Sequence, residues 1–243
     1  DGLYNLVLEF RNIIVLVIEK VIIPFLPLHI AGVFANMAYS GRAFETLGVF
    51  GQVFALIIAM HLIYILIQYN IAGTIAGKPV LKSIKNMIPA YTTAIGTMSS
   101  AATIPVTLKN NKKNDVKEDI ADFVIPLGAT VHLAGSTITI TTCAVAVALI
   151  QGIALDFALF FHFIALLGVT MIAAPGVPGG AVMAALGLLS SILGFGEPAT
   201  ALMIGLYLAQ DSFGTACNVT GDGAIAMFID GIREKFSNRS QTI

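Results

Sequence analysis

Residues 171–183 read MIAAPGVPGGAVM, and the segment PGVPGG at 175–180 interrupts an otherwise apolar stretch. The apolar arms on either side run from Phe157 to Ala174 and from Ala181 to Phe195. Each arm is shorter than the roughly 20 residues that a helix needs to cross a bilayer. A tip so rich in glycine and proline cannot remain helical, and such backbone is tolerated at membrane depth only where it lines a cavity or binds something. The pattern predicts a re-entrant helical hairpin.

The composition predicts a membrane protein. Of the 243 residues, 57% are hydrophobic and only 11% are charged, and the mean hydropathy is +0.88. These proportions exclude a water-soluble globule, because too few polar groups are present to cover its surface. Cys143 and Cys217 lie in apolar stretches without metal-ligand spacing, so we expect them to be inert packing residues. The first residue is Asp1 rather than methionine, which indicates a C-terminal or internal portion of a longer protein.

The hairpin pattern occurs a second time, earlier in the chain. Between Lys82 and Lys112 the apolar run contains TTAIGTMSSAATIPVT at 92–107, and neither half is long enough to span a bilayer. Each hairpin is followed by an interrupted helix: Ile120 to Ile150, broken by PLGATVHLAGST at 126–137, and Thr200 to Asp230. Repeated discontinuous segments of this kind are the best sequence indication of the binding site of a transporter.

The last helix carries a polar stripe in apolar surroundings. Asp211, Thr215, Asn218 and Asp222 are spaced i, i+4, i+7 and i+11, which places their side chains on one helical face. A carboxylate in a low-dielectric cavity is costly unless a cation pairs with it. The spacing alone leaves open which partner these carboxylates have. In contrast, we expect the isolated His61 to be a buried or interfacial neutral imidazole.

Basic residues collect in three places. They precede the first hairpin, follow it, and lie at the C-terminus: Lys78, Lys82 and Lys85; Lys109, Lys112, Lys113 and Lys117; Arg233, Lys235 and Arg239. A hairpin that returns to its own side, followed by two crossings, would bring all three clusters into one compartment. The positive-inside rule assigns this compartment to the cytoplasm.

Four ordered motifs carry a family resemblance. TMSSAATIPVT at 97–107, IPLGATVHLAGST at 125–137, GVPGG at 176–180 and QDSFGTACNVTGD at 210–222 resemble the dicarboxylate/amino acid:cation symporter family, which includes the glutamate transporters and the bacterial serine/threonine symporters. The resemblance implies an all-α polytopic membrane protein of the glutamate-transporter type, with two re-entrant hairpins and interrupted transmembrane helices. It also implies a homotrimer in the cell membrane that moves its cargo by an elevator-type movement.

The resemblance divides the chain into six segments. These are a kinked scaffold helix at 1–42, a spanning helix of the transport domain at 43–76, hairpin one at 77–114, an interrupted helix at 115–152, hairpin two at 153–196, and the last helix with a cytoplasmic tail at 197–243.

The resemblance also implies the site residues. Asp211 would pair with the amino group of the substrate, and backbone groups at the hairpin tips would hold its carboxylate. The substrate-binding positions would be Ser99, Ser100, Ser136, Val177, Asp211, Gly214, Thr215 and Asn218, and the gate would comprise Gly176, Pro178, Gly179 and Gly180.

The cation ligands implied by the resemblance are oxygen atoms, which suit a hard cation such as Na⁺. Asp222, Asn218 and the carbonyl of Gly128 match the first sodium site. A second site would use carbonyls around Thr130 and at 171–174. His132 replaces an asparagine next to the first site, and it could be a neutral ligand, a packing substitute or a titratable group that introduces protons. Ala134 replaces the aspartate of a third site, so the sequence leaves the number of coupled ions open.

The chain lacks the arginine that binds a dicarboxylate side chain in the family. The two positions that carry this arginine in relatives are Gly214 and Met98. Because a second carboxylate would lack a counter-charge, the sequence predicts symport of a neutral amino acid with Na⁺, or alternatively H⁺. We expect the lipid bilayer and a small solute as partners, with no nucleic acid and no organic cofactor.

Three alternatives remain open at this stage. The first is dicarboxylate symport with a counter-charge other than arginine. The second is a solute sensor that does not transport. The third is an intramembrane serine hydrolase built from Ser99 or Ser100 with His132 and Asp211, whose side chains are of the right types.

Overall fold

A computed structural model describes residues 2–17 and 43–240, together with isolated positions between 20 and 39. The described residues form helices and no strand. The helices are α1 (Gly2–Val17), α2 (Ala43–Ala76), α3 (Val80–Thr97), α4 (Ser100–Asn111), α5 (Glu118–Val131), α6 (Ala134–Gln151), α7 (Phe157–Met171), α8 (Gly180–Ser191), α9 (Glu197–Leu208) and α10 (Asp211–Ser240). The kink predicted within 1–42 lies outside the described residues.

Both predicted hairpins are present as pairs of helices in contact. Helices α3 and α4 form hairpin one and are separated only by Met98 and Ser99. Helices α7 and α8 form hairpin two, and the break between them includes most of the segment 175–180. The helix interruptions predicted from the serine-rich and glycine-rich tips are therefore confirmed, while the re-entrant placement of the hairpins stays a prediction.

Both predicted interrupted helices are broken, the first within the predicted segment 126–137, whereas no break position was predicted for the second. Helices α5 and α6 are separated by His132 and Leu133, and helices α9 and α10 by Ala209 and Gln210. The order hairpin then broken helix thus occurs twice, in α3–α6 and again in α7–α10. This repetition gives the described part of the chain two halves of similar architecture.

Local chemistry explains several of the helix ends. Gly152 has φ 69° and ends α6 in the left-handed conformation that glycine adopts without strain. Asp156 caps α7 by accepting a hydrogen bond from the Ala158 amide at 3.1 Å. At the tip of hairpin one, Ser99 caps α4 through the Ala102 amide, and Met98 adopts φ 49°, which is unusual for a residue with a side chain.

Two groups of buried apolar side chains hold the helices together. One packs α6 against α7, α8 and α9 through residues such as Val147, Leu167 and Met203, all with 0% exposure. The other packs α2, α3 and α5 around α10. Helix α10 contacts most of the second group because small residues let backbones approach closely: a side chain at Gly231 would collide with the backbone of Ala76 in α2.

The outer surface is apolar. Phe157 and Val169 of α7 are 86% and 66% exposed, and α2 presents Leu62, Ile63, Leu66 and Ile67 outward. Within the described residues, two helical stretches are long and apolar enough to cross a bilayer, Gly48–Ala76 and Glu118–Gln151. The second stretch includes the break between α5 and α6. These outward side chains are suited to contact with lipid tails.

The three predicted basic clusters meet at one end of the helix bundle. Three ion pairs show this. Lys78 of the first cluster and Lys117 of the second pair with Asp230 and Glu234 of α10, at 3.5 and 3.1 Å. Arg233 of the third cluster, which lies on α10, pairs with Asp119 of α5. At the same end, Glu118 accepts a hydrogen bond from Lys112, and this bond raises the pKa of the Lys112 ammonium group. The clusters therefore share one end, as the topology argument predicts.

Candidate functional site

A small cavity lies where the hairpin tips meet the breaks in the two interrupted helices. Its volume is about 10 Å³, which is room for roughly one water molecule. An amino acid could therefore enter only if part of the wall moved. The cavity is lined by Met98, Ser100, Leu133, Ser136, Pro175, Gly176, Val177, Ala181, Tyr207, Asp211, Thr215 and Asn218.

Asp211 is the only charged residue among those lining this cavity in the described part of the chain. Its side chain is buried, with 4% exposure. Oδ2 accepts a hydrogen bond from the backbone amide of Gly179 at 2.6 Å, and Oδ1 accepts one from the Tyr207 hydroxyl at 2.8 Å. These two donors stabilise a buried carboxylate without neutralising it. A cationic group that entered the cavity could therefore form an ion pair with Asp211.

The tips of the two hairpins are in direct contact. The Ser99 hydroxyl, at the tip of hairpin one, donates to the carbonyl oxygen of Gly176 at 2.9 Å. Gly179 has φ 72° and lies in the turn that directs its amide at Asp211, a conformation that favours glycine. Gly180 packs so closely on Pro175 that a side chain would collide with the Pro175 carbonyl oxygen. These contacts close hairpin two over the cavity.

Asn218 links α10 to the beginning of α6. Its Oδ1 accepts the Gly135 amide at 2.7 Å, and its Nδ2 donates to the Ser136 hydroxyl at 3.0 Å. The first turn of a helix has free amide groups, so Asn218 satisfies one of them. Its neighbour Thr215 is buried and also lines the cavity. The polar stripe predicted on α10 therefore faces the cavity and the helix break beside it.

Asp222 lies one turn further along α10 and is almost completely buried, with 1% exposure. Its Oδ1 lies 2.9 Å from Nδ1 of His132, while Oδ2 has no hydrogen-bond partner within the described residues. It packs directly on Gly128, where any side chain would collide with Oδ1. An unpartnered buried carboxylate oxygen beside the last turn of α5 is a suitable ligand for a cation. Among the described residues, no group of three or more His, Cys, Asp or Glu side chains is placed so that it could hold a metal ion.

The predicted second cation site involves the tip of hairpin two and the end of α5. A Cβ added to Gly176 would lie 3.8 Å from the Ala129 carbonyl oxygen, so these two segments are neighbours. The Thr130 hydroxyl, however, is exposed and donates to the Leu127 carbonyl oxygen at 2.8 Å. The carbonyl of Met171 accepts the Ala174 amide at 3.1 Å. The segments are close together, and ion binding between them stays a prediction.

Of the predicted substrate-binding positions, Ser99 and Gly214 do not line the cavity. A Cβ at Gly214 would point at Ser136 and Thr139 of α6, 3.4–3.5 Å away. A methyl group at Gly214 would therefore be in ordinary van der Waals contact with α6. Of the four predicted gate positions, Gly176 lines the cavity and Pro178, Gly179 and Gly180 do not. Met98, the other position that carries an arginine in relatives, also lines it.

Two further polar residues at the site, Tyr207 and Gln68, were not assigned to it from the sequence. Tyr207 precedes Asp211 by four residues, so extending the helical stripe back by one turn would have found it. Gln68 of α2 places Nε2 3.3 Å from Nε2 of His132 and donates to the Tyr64 hydroxyl. His61 is buried as predicted, with Nε2 3.0 Å from the Gly135 carbonyl oxygen.

The residues of the hydrolase alternative have other partners. His132 contacts Asp222 rather than Asp211, and Ser99 donates to a backbone carbonyl. Asp211 is bonded to Gly179 and Tyr207. These described residues form no relay from carboxylate through imidazole to hydroxyl, so the geometry gives no support to serine hydrolysis.

A comparison with known protein families agrees with this arrangement. The family model described as the sodium:dicarboxylate symporter family matches residues 1–232 of the chain. The match includes both hairpins, both interrupted helices and every residue of the site. The family predicted from the four sequence motifs is thereby confirmed.

Proposed function

Because the chain belongs to the sodium:dicarboxylate symporter family, we propose that it is a secondary transporter that carries a neutral amino acid across the membrane together with Na⁺. The observation that carries this proposal is the lone buried carboxylate of Asp211 in a cavity without any lysine or arginine in its described lining. A carboxylate in such surroundings favours a solute that brings one positive charge.

The absence of a basic side chain from that described lining also bears on the class of solute. An amino acid with a neutral side chain carries one ammonium group, for Asp211, and one carboxylate. The hairpin tips offer Ser100 and the backbone near Val177 for that carboxylate, at the beginning of α4 and in the turn before α8. A dicarboxylate would bring a second negative charge with no described counter-charge in the lining, which is unfavourable in a small desolvated cavity.

Coupling to Na⁺ is supported by Asp222. Its unpartnered Oδ2, with the carbonyl of Gly128 and the side chain of Asn218, would hold the ion. When bound, the ion supplies positive charge and removes the cost of the buried carboxylate. Asn218 also bonds to Ser136, which lines the solute cavity, so ion binding and solute binding share a residue. Shared contacts of this kind give each ligand a differential affinity that depends on the other.

Movement of hairpin two would provide access to the cavity. The closed cavity is too small for an amino acid, so hairpin two opens to admit the solute and closes once solute and ion are bound. The loaded domain then carries its cargo across a scaffold in an elevator-type movement. We place the protein in the cell membrane as a homotrimer, with the end that carries the basic clusters in the cytoplasm.

The test is thermal stabilisation of the purified protein by neutral amino acids, by aspartate and glutamate, and by dicarboxylates. Each compound is added in NaCl and, in parallel, in choline chloride. We expect stabilisation by a neutral amino acid in sodium and little in choline. Stabilisation by aspartate or glutamate instead would overturn the solute class and leave symport in place. No stabilisation by any compound would overturn the proposal.

Uptake of the stabilising amino acid into proteoliposomes then separates transport from sensing. We expect accumulation that requires an inward sodium gradient and stops when an ionophore dissipates it. Sodium-dependent binding without uptake would mean that the protein senses its solute and does not transport it.

A further inference from the structure

Tyr207 occupies a position at the cavity that the motifs do not assign. It lies in the last turn of α9, its side chain is 1% exposed, and it forms part of the cavity lining. Its hydroxyl donates to Oδ1 of Asp211 at 2.8 Å. The break between α9 and α10 therefore brings a phenol and a carboxylate together at the surface that a solute would contact.

The hydrogen bond to Asp211 determines what the phenol can offer a solute. A tyrosine hydroxyl has one proton to donate and lone pairs that accept. Because the hydroxyl proton is donated in the hydrogen bond to the Asp211 carboxylate, the phenol oxygen can contact a solute only as a hydrogen-bond acceptor. An ammonium group that pairs with Oδ1 of Asp211 comes within reach of the Tyr207 oxygen, since the two oxygens are separated by a single hydrogen bond.

We propose that Tyr207 is a specificity-determining residue of the symporter: its phenol oxygen accepts one N–H of the solute's ammonium group while its own proton remains directed at Asp211. This inference rests on the proposed function. A primary ammonium group has three N–H donors and can bond to both residues. An N,N-dimethylated amino acid keeps the positive charge but has a single N–H, which Asp211 takes. Tyr207 therefore selects primary amines among solutes of equal charge.

Another buried tyrosine, Tyr69, has a hydroxyl whose role is purely structural and provides a comparison for Tyr207. Tyr69 of α2 is as deeply buried, with 0% exposure, and its hydroxyl donates to the Thr220 carbonyl oxygen at 3.0 Å. Tyr69 does not line the cavity. The two tyrosines thus provide a matched pair, one bonded to a cavity carboxylate and the other to backbone.

The experiment compares Tyr207→Phe with Tyr69→Phe in the purified protein with sodium present. Affinities are measured for the amino acid that stabilises the wild type most and for the N,N-dimethyl derivative of the same amino acid. The quantity of interest is the ratio of the two affinities. We expect Tyr207→Phe to lower the preference for the primary amine about tenfold, the size expected for one hydrogen bond to a charged group. We expect Tyr69→Phe to leave the ratio unchanged.

The outcomes separate this inference from the proposed function. If the wild type binds an amino acid and Tyr207→Phe leaves the ratio at its wild-type value, the role of Tyr207 is wrong while symport stands. If Tyr69→Phe lowers the ratio as much as Tyr207→Phe does, the effect is structural and the inference is again wrong. If the wild type binds no amino acid, the proposed function and this inference fall together.

Discussion

The backbone amide of Gly179 donates to Oδ2 of Asp211 over 2.6 Å, so the tip of hairpin two is fastened to the carboxylate that we propose binds the solute. In the proposed mechanism, the same carboxylate would hold the closed gate and pair with the ammonium group of the solute. An arriving solute must share Asp211 with Gly179 or displace it. Gate movement and solute recognition thus depend on one side chain.

Replacing Asp211 by asparagine should abolish the response to the solute. The substituted side chain would keep its size but lose the negative charge, and its NH₂ group cannot accept the hydrogen bond from Gly179 or from Tyr207. We expect the binding free energy of the amino acid to become less favourable by about 2–5 kcal/mol, the range for removing one member of a buried charge pair. The measurement is the thermal shift produced by the amino acid in sodium.

The matched control for this change is Asp156→Asn. Asp156 also accepts a backbone amide, but it caps α7 and does not line the cavity. Its replacement should lower stability by at most about 1 kcal/mol and preserve the amino acid response. A normal response in the Asp211 variant would contradict the assignment of Asp211.

Replacing Gly128 by alanine should disturb the cation site specifically. The new methyl group would collide with Oδ1 of Asp222 and displace the carboxylate. Overpacking of this kind lowers the free energy of unfolding by about 1–3 kcal/mol. Because the carboxylate is displaced, we also expect at least about a tenfold loss of sodium affinity, which corresponds to about 1.4 kcal/mol. Sodium titration of thermal stability measures both effects.

Gly168 of α7 is the control for Gly128. A Cβ there meets nothing within 4 Å, so Gly168→Ala should stabilise the helix by about 0.5–1 kcal/mol and leave the sodium response intact. Equal sodium responses in the two variants would remove Gly128 from the cation site.

Introducing arginine at Met98 should extend binding to acidic amino acids. Met98 lines the cavity and is 37% exposed, so a longer side chain has room to turn toward a solute carboxylate. Arginine can bind that carboxylate through two hydrogen bonds. We expect Met98→Arg to gain at least about tenfold in aspartate affinity over the wild type, roughly the 1.5–3 kcal/mol of a charged hydrogen bond. Met98→Gln introduces a long but neutral side chain and should not raise the affinity for aspartate. A gain in aspartate affinity in both variants would argue against a role for the charge of the arginine.

The ion pairs at the charged end should differ in strength according to their burial. Asp230 is 1% exposed and its Lys78 partner 17%, whereas Lys117 and Glu234 are each almost half exposed. Asp230→Asn leaves a lysine without its partner in a largely desolvated site, and we expect it to cost about 3 kcal/mol of stability. Glu234→Gln should cost less than about 1 kcal/mol. Chemical denaturation of both variants in one detergent measures the difference, and equal losses would show that burial does not govern these pairs.

Much of the architecture was predictable from short segments of sequence. Proline and glycine in 175–180, and the serine-rich tip at Met98–Ser99, end helices for local steric and capping reasons that do not depend on the rest of the protein. The helical stripe through Asp211 and Asn218 follows from the 3.6-residue period alone. These features therefore appear in the structure where the sequence predicts them.

Contacts between segments distant in the chain were harder to predict from the sequence. The bond from Gly179 to Asp211 joins a turn to a helix 32 residues away and depends on how hairpin two packs. Gly214 was assigned to the solute by its place in a motif, yet its side faces α6, because the packing of two helices decides which side of a residue is exposed. Tyr207 was missed because the search for polar residues began at Asp211, after the helix break.

The two hairpins are fixed to the protein in unequal ways. Hairpin one belongs to the segment anchored by Lys78 to α10 at the charged end. Within the described residues, hairpin two is joined to the remainder by apolar packing, by the polar contacts at Gly176 and Gly179, and by hydrogen bonds at the ends of its segment, such as that from the Thr200 hydroxyl to the Phe195 carbonyl oxygen. Lipid tails can take the place of apolar neighbours at little energetic cost, but they cannot replace ion pairs or hydrogen bonds. This difference supports the proposal that hairpin two is the segment that moves, while hairpin one stays attached to α10 and provides the surface against which hairpin two closes.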